Sequence, residues 1–423
     1  MNQIIFFIKG FIQRSGSYIF IATIISRLFS FIGAWMALML LPEKELGLAI
    51  FAFNIITFLI PLGGLGVQQS LLRYGSFLLT KNEKLNLYNI TLKKGVKWSI
   101  YLIILAIIMS PIFTYNLKGS FLYLIFLSLS ILSYFLFEIL KIKFRITNNN
   151  KMFALMDIAL SSIQILSIVI LSFYFGVYGY VFAIVLSPLV TFLIFNSKEM
   201  NYNKTKIFST DFVDKDFWKY GFFAGLTNVA TQLLFSIDII LIGYLLANPQ
   251  LVTYYKYVSI IPFSLLILPN IFITTDFVVI TKNVDNRLFI NNYIKSFMLL
   301  FSIISAFIFG IIYFFGKYIL RIFGESYTNY FNLFIILTLG VFGIFMLRSL
   351  FGNLLSSIGK AHINYWIAIS SLILNVVLNN HFIPKYGILG AGMTSAIIMW
   401  FSGILSLILF FFYYKKYLKR HFE

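Results

Sequence analysis

Apolar stretches of about twenty residues recur along this 423-residue chain, and short polar loops separate them. A stretch of that length is what an α-helix needs to cross a bilayer, whereas a barrel strand needs only about ten residues. Hydrophobic residues make up 60% of the chain and charged residues 11%, against about 45–50% and about 25% in a soluble domain. Since backbone groups in lipid must be satisfied within each segment, the sequence predicts an all-α integral membrane protein.

A hydropathy window of about 19 residues predicts twelve membrane-spanning helices. The division between the fifth and sixth spans depends on Gly176-Val177-Tyr178-Gly179, which must turn the chain without a charged loop. Ahead of the first span, residues 1–17 are predicted to form a short interfacial amphipathic segment, because Lys9 and Arg14 interrupt its apolar run. The predicted spans are 18–41, 48–72, 98–116, 120–140, 153–175, 178–197, 219–246, 252–280, 296–316, 329–352, 363–383 and 387–414.

The basic residues orient these spans. With the amino terminus inside, 26 of the 33 Lys and Arg residues face the cytoplasm, six face outward and Arg27 lies within a span. This asymmetry predicts cytoplasmic amino and carboxyl termini. It also accounts for the net charge of +19, so nucleic acid is not an expected partner. The chain has no cysteine and its three histidines are far apart, so neither a disulfide nor a metal site is expected.

A weak internal repeat divides the chain into two halves. Gly176-Val177-Tyr178-Gly179 matches Gly387-Ile388-Leu389-Gly390 at an offset of 211 residues. The predicted domains are a six-helix lobe at 1–200, a cytoplasmic linker at 201–218 and a second six-helix lobe at 219–423. Because each half has an even number of spans, the repeats are parallel, and two such lobes around a central cavity suit alternating access.

Three segments resemble one family of exporters. They are Gly352-Asn353-Leu354-Leu355-Ser356-Ser357-Ile358-Gly359-Lys360 with the span that follows it, Gly63-Gly64-Leu65-Gly66-Val67-Gln68-Gln69, and Ser236-Ile237-Asp238-Ile239-Ile240-Leu241-Ile242-Gly243. The resemblance is to polysaccharide flippases of the Wzx type, which handle O-antigen or capsule repeat units. They belong to the multidrug/oligosaccharidyl-lipid/polysaccharide exporter superfamily.

The resemblance implies a MATE-like fold of two lobes in the bacterial cytoplasmic (inner) membrane. It implies translocation of an undecaprenyl-pyrophosphate-linked oligosaccharide to the outer leaflet, for O-antigen, lipopolysaccharide or capsule assembly. Membrane lipids, a polysaccharide polymerase and a chain-length regulator are the other expected partners.

Ionisable residues within spans are candidate site residues, because each needs a polar or charged partner or a water-filled cavity. Arg27 is predicted to line the cavity and attract pyrophosphate or acidic sugars; the alternative is an arginine that snorkels to the cytoplasmic face. Asp238, with Asn228 and Thr231 on about the same helical face, is predicted to oppose Arg27 or to hold H⁺ or Na⁺. The alternative for Asp238 is hydrogen bonding within its lobe.

Five further charged residues lie near span ends. Arg73 could receive a lipid pyrophosphate at the cytoplasmic entrance, although a positive-inside anchor is the simpler interpretation, and Lys256 could line an outward-facing cavity or anchor the interface. Asp276, Glu138 and Asp157 are candidates for ion coupling. For Glu138, local pairing with the basic residues at 141, 143 and 145 is the simpler expectation.

Two other functions remain open. A multidrug or metabolite cation antiporter would have the same fold. A membrane glycan polymerase or ligase would be an enzyme, but such enzymes carry a large outer loop and the outer loops here are short. We therefore expect a secondary transporter without catalytic residues or cofactor.

Overall fold

The computed structural model describes residues 17–197 and 215–422, and helices dominate both ranges. The predicted interfacial segment and most of the predicted linker lie outside the described residues. The helices are α1 Ser17–Leu40, α2 Glu43–Leu59, α3 Val67–Phe77, α4 Lys81–Phe113, α5 Phe121–Ser128, α6 Ser130–Ile146, α7 Asn150–Ser197, α8 Lys215–Leu246, α9 Pro249–Ser264, α10 Ile267–Lys282, α11 Arg287–Arg321, α12 Phe331–Gly343, α13 Ser349–Ser357, α14 Ala361–Tyr386 and α15 Ile388–Phe422.

Within the described ranges, ten helical segments are long and apolar enough to cross a membrane, and the bent helix α8 makes an eleventh. Helix α7 has 48 residues, which at 1.5 Å per residue is about twice the thickness of the hydrocarbon core. It is broken at Gly176 and thus supplies two crossings. The chain is therefore an all-α, multi-pass membrane protein with room for the twelve predicted spans.

The two predicted glycine turns have the same backbone geometry. Gly176 has φ 57° and ψ −138°, and Gly387 has φ 61° and ψ −141°. Three residues later, a Cβ atom on Gly179 or on Gly390 would overlap the carbonyl group of the residue eight places earlier. Only glycine readily adopts the backbone angles that Gly176 and Gly387 have. The match of local structure at an offset of 211 residues supports the internal repeat.

Local signals also fix helix starts. At α4, the Thr80 hydroxyl accepts a hydrogen bond from the Glu83 backbone N–H (3.2 Å), and the Glu83 carboxylate accepts one from the Thr80 N–H (3.1 Å). This reciprocal capping satisfies two N–H groups that the helix leaves unpaired. At α11, the Asn286 side chain accepts a bond from the Phe289 N–H (3.0 Å).

The described residues form two compact units, which divide between Thr253 and Tyr254. The first unit contains α1 to α8 and a core on α6, including Phe135, Ile139 and Phe144. The second unit has its own core, in which Phe297, Phe301 and Phe345 are fully buried. The lobe boundaries at 200 and 219 rest on the sequence repeat and stay a prediction.

Candidate functional site: a polar pocket in the first unit

A cavity of about 320 Å³ lies within the first unit, at the lower end of the size range of small-molecule sites. Three parts of the chain line it: the segment from 60 to 69, helix α6 and helix α8. We call this cavity the polar pocket. Its polar lining residues are Gln68, Gln69, Tyr134, Glu138, Asn228 and Gln232, and its apolar lining residues are Ile60, Pro61, Phe135 and Ile142.

A glycine-rich break shapes the first wall. Between α2 and α3 the backbone takes positive φ at Gly64 (63°), Leu65 (56°) and Gly66 (70°), and the helix axis bends here. A Cβ atom on Gly64 or Gly95 would overlap the Phe135 ring. The missing side chains therefore make the notch that holds Phe135 at the pocket wall.

Glycines also bring α8 against this wall. Gly221 and Gly225 are spaced by four residues on one face of α8, the small-xxx-small arrangement that lets membrane helices approach closely. A Cβ atom on Gly66 would overlap the Gly221 carbonyl, and one on Gly225 would lie 3.2 Å from the Gly66 Cα. The Ser70 hydroxyl donates to the Phe217 carbonyl at 2.6 Å. This crossing places Asn228 and Gln232 at the pocket.

The polar groups of the pocket are poorly satisfied by the protein. Gln68 is 7% exposed, and its Oε1 has no hydrogen-bond partner in the described ranges. Glu138 also lines the pocket, where it interacts electrostatically with Lys141 on the same helix. Such groups are costly to bury unless a donor reaches them. The pocket is thus suited to a ligand with several hydrogen-bond donors.

Lys141 interacts electrostatically with both Glu138 and Asp157. Lys141 Nζ lies 2.7 Å from Asp157 Oδ1, and Lys143 lies over the Tyr88 ring at 5.0 Å from its centroid. Asp157 is therefore paired across α6 and α7, and Glu138 interacts with the same lysine from the pocket side.

Arg73 and Lys94 lie against aromatic rings of α8. The Arg73 guanidinium is 4.4 Å from the Tyr220 ring centroid and the Lys94 ammonium is 5.2 Å from that of Trp218. Arg73 is exposed. Cation–π contacts are weaker than charge-assisted bonds to phosphate, so these contacts leave both cations available to an anion.

Arg27 is exposed on α1, with Ser30 exposed one turn further along. Ser30 donates to the Ser26 carbonyl at 2.8 Å. Thr23, Arg27 and Ser30 are spaced by four and three residues, and Ser26 lies beside Arg27, so the four share one side of the helix. Within an apolar span they form a polar stripe.

The other predicted site residues do not line the polar pocket. Asp238 on α8 is 2% exposed, and Ser236 beside it lies 3.2 Å from the Thr57 hydroxyl. Asp276, in the second unit, is fully buried and accepts a hydrogen bond from the Tyr293 hydroxyl at 3.1 Å. Lys256 is half-buried in the second unit. The Thr231 side chain lies outside the described part of the structure.

Sequence reasoning selected Glu138 and Asn228 but missed the other polar residues of the pocket. The available signal was spacing: Tyr134 and Glu138 are four residues apart, as are Asn228 and Gln232, so each pair shares a helix face. A search for charged residues within the spans does not select uncharged carboxamides such as those of Gln and Asn.

A half-buried polar cluster around Arg348 in the second unit was also missed. Arg348 Nη1 donates to Asn364 Oδ1 at 2.7 Å and to Ser406 Oγ at 2.8 Å. Asn364 in turn donates to the Gly352 carbonyl at 2.7 Å. The segment 352–360, which carries the family resemblance, thus contacts a guanidinium through Asn364.

We expect Arg348→Met to lower the thermal stability of the purified protein clearly. The substitution removes two charge-assisted hydrogen bonds, each worth about 1.5–3 kcal/mol, that join α13, α14 and α15. The matched control is Arg321→Met, which removes an exposed ion pair (2.7 Å to Glu325) and should change stability little. Equal shifts in melting temperature for the two variants would contradict a structural role for the cluster.

No protein-family profile and no curated protein matches the chain. Solved structures do. The lipid II flippase MurJ in an inward closed conformation matches with a TM-score of 0.73 at 21% identity, over 94% of this chain and 87% of MurJ. An inward-facing multidrug resistance MATE transporter of the MOP superfamily matches with a TM-score of 0.71 at 16% identity, over 93% and 96%.

A third match is a MOP superfamily transporter from Pyrococcus furiosus, with a TM-score of 0.62 at 16% identity over 97% and 96% of the two chains. For that protein a reversed polarity of the binding pocket suggests a different function. These similarities establish the fold, which is that of MOP superfamily transporters and flippases. The predicted MATE-like fold class is therefore confirmed.

Proposed function

We propose that this protein is a flippase that translocates undecaprenyl-pyrophosphate-linked oligosaccharide repeat units across the bacterial cytoplasmic membrane by alternating access. The amino and carboxyl termini would be cytoplasmic, and the product would supply surface polysaccharide assembly. The polymerase and chain-length regulator of that assembly are the expected partners. MurJ, which has the same fold, is a lipid II flippase, so this fold can serve a lipid-linked substrate.

The observation that carries the proposal is the exposed Arg27. It lies ten residues into α1, about 15 Å along the helix, where an arginine facing lipid would cost at least about 2.5–3.5 kcal/mol. Its side of the helix must therefore meet water or an anion. A pyrophosphate suits a guanidinium, which binds phosphate oxygens in pairs. Arg73, exposed on α3, would receive the pyrophosphate earlier, at the cytoplasmic entrance.

A cation antiporter is the second candidate, because the MATE transporters share the fold and Glu138 is a carboxylate at the polar pocket. The exposed arginines favour the flippase, since they would repel a cationic drug. Energy coupling to H⁺ or Na⁺ at Asp238, Asp276, Glu138 or Asp157 stays a prediction.

Deletion of the gene is the direct test. We expect loss of surface polysaccharide, with lipid-linked saccharides trapped in the inner leaflet where periplasmic enzymes cannot reach them. The measurement is surface glycan staining together with extraction of the lipid-linked pool, and the control is the same strain that expresses the intact chain. Normal surface glycan, in a strain without a redundant exporter, would refute the flippase.

A further inference from the structure

We propose that the polar pocket binds an uncharged sugar residue of the transported saccharide and discriminates against acidic sugars. The inference rests on the proposed flippase function and adds a selectivity that the function alone does not require. It concerns the pocket of the first unit, apart from the arginines assigned to the pyrophosphate.

The first argument is the chemistry of the lining. Four carboxamides, at Gln68, Gln69, Asn228 and Gln232, face the pocket with the Tyr134 phenol. A carboxamide both donates and accepts hydrogen bonds, and so does a sugar hydroxyl. A metal ion or an organic cation would use only the acceptors and would be opposed by the amide N–H groups. The lining can therefore both donate hydrogen bonds to, and accept them from, the hydroxyl and N-acetyl groups of a sugar.

The second argument is the unsatisfied acceptor. Gln68 is more than nine-tenths buried and its Oε1 has no partner in the described ranges. Buried polar atoms in folded proteins almost always have one. A hydroxyl of a bound sugar would donate to this oxygen, while Pro61 and Phe135 would contact the apolar C–H face of the ring.

The third argument is charge. Glu138 is the only ionisable carboxylate or base that lines the pocket in the described part of the chain. The described lining thus offers no base to pair with the carboxylate of an acidic sugar or with the pyrophosphate itself, and Glu138 would accept from hydroxyl groups. The sequence-based expectation for acidic sugars concerns Arg27, outside this pocket, and stays a prediction. The phosphate end of the substrate would remain with Arg27 and Arg73.

Because the chain has no cysteine, a single introduced cysteine would be its only thiol for maleimide labelling. A single cysteine at the exposed Gln232 can be labelled with a maleimide in the full-length protein in nanodiscs. The uncharged probes are cellobiose, maltose, diacetylchitobiose and the saccharide released from the lipid-linked pool of the deletion strain. The charged probes are glucuronate, inorganic pyrophosphate, tetraphenylphosphonium and Na⁺.

We expect at least one uncharged saccharide to slow the labelling of Gln232→Cys, by about tenfold at ten times its dissociation constant. Glucuronate and pyrophosphate should leave the rate unchanged. The matched control is Ser76→Cys, which is exposed on α3 outside the pocket and should not be protected. Gln69→Cys, a second lining position, repeats the measurement if the first variant is poorly folded.

Protection by tetraphenylphosphonium or Na⁺ alone would overturn the sugar site in favour of a cation site. Protection by glucuronate, or by no saccharide in the panel, would also overturn it. These failures are distinct from failure of the flippase. If deletion abolishes surface glycan but no sugar protects the pocket, only the pocket assignment is wrong. If deletion leaves the glycan intact, the function itself is wrong.

Discussion

Arg27→Ala is expected to reduce export of the lipid-linked saccharide at least about thirtyfold. The guanidinium would bind the pyrophosphate through paired charge-assisted hydrogen bonds, each worth about 1.5–3 kcal/mol, and each 1.4 kcal/mol is a factor of ten. Arg27 is exposed on a polar stripe of α1, so its removal should not disturb a packed core. The measurement is complementation of the deletion strain, with surface polysaccharide and inner-leaflet intermediates quantified at equal membrane levels of protein.

Two variants make the result interpretable. Arg27→Lys keeps the charge but loses the paired geometry of the guanidinium, so export should fall between the wild type and Arg27→Ala. Arg321→Ala removes an exposed arginine that pairs with Glu325 and should complement fully. If Arg27→Ala restores export as well as Arg321→Ala does, the arginine has no part in substrate transfer and the flippase proposal loses its main support.

Features that depend on local chemistry could be predicted from the sequence. The turn at Gly176 follows from glycines that interrupt an apolar run, and the structure gives it a backbone conformation that other residues rarely adopt. The spans themselves follow from hydropathy, because lipid leaves the backbone no alternative to the helix.

The polar pocket could not be predicted, because its walls come from distant parts of the chain. Gln68 and Asn228 are 160 positions apart in the sequence and meet only where α8 crosses the bend at Gly66. Sequence reasoning weighted charges within spans and so selected Asp238, which the structure buries away from the pocket. Which neighbour a buried carboxylate finds depends on packing, and hydropathy carries no information about it.

The contact between α8 and the bend, which forms the pocket, therefore depends on a few glycines. A substitution at Gly225 is its most direct test. The α-hydrogen of Gly225 faces the bend: a Cβ atom there would lie 3.2 Å from Gly66 Cα and 3.5 Å from the Pro61 carbonyl oxygen. Alanine needs shifts of only tenths of an ångström, whereas leucine cannot fit. We expect Gly225→Leu to push α8 away from the bend, to lower the melting temperature and to abolish export. Overpacking of this kind typically costs about 1–3 kcal/mol.

Gly310→Leu is the matched control, because nothing lies within 4 Å of a Cβ atom at that helical position and a leucine there adds only apolar surface. Gly225→Ala should retain most export. Gly225→Leu combined with Gln232→Cys adds a structural readout: once α8 is displaced, saccharide should no longer slow the labelling of that cysteine. If Gly225→Leu matches Gly310→Leu in both stability and export, then α8 does not need close contact with the bend, and the crossing cannot be what assembles the pocket.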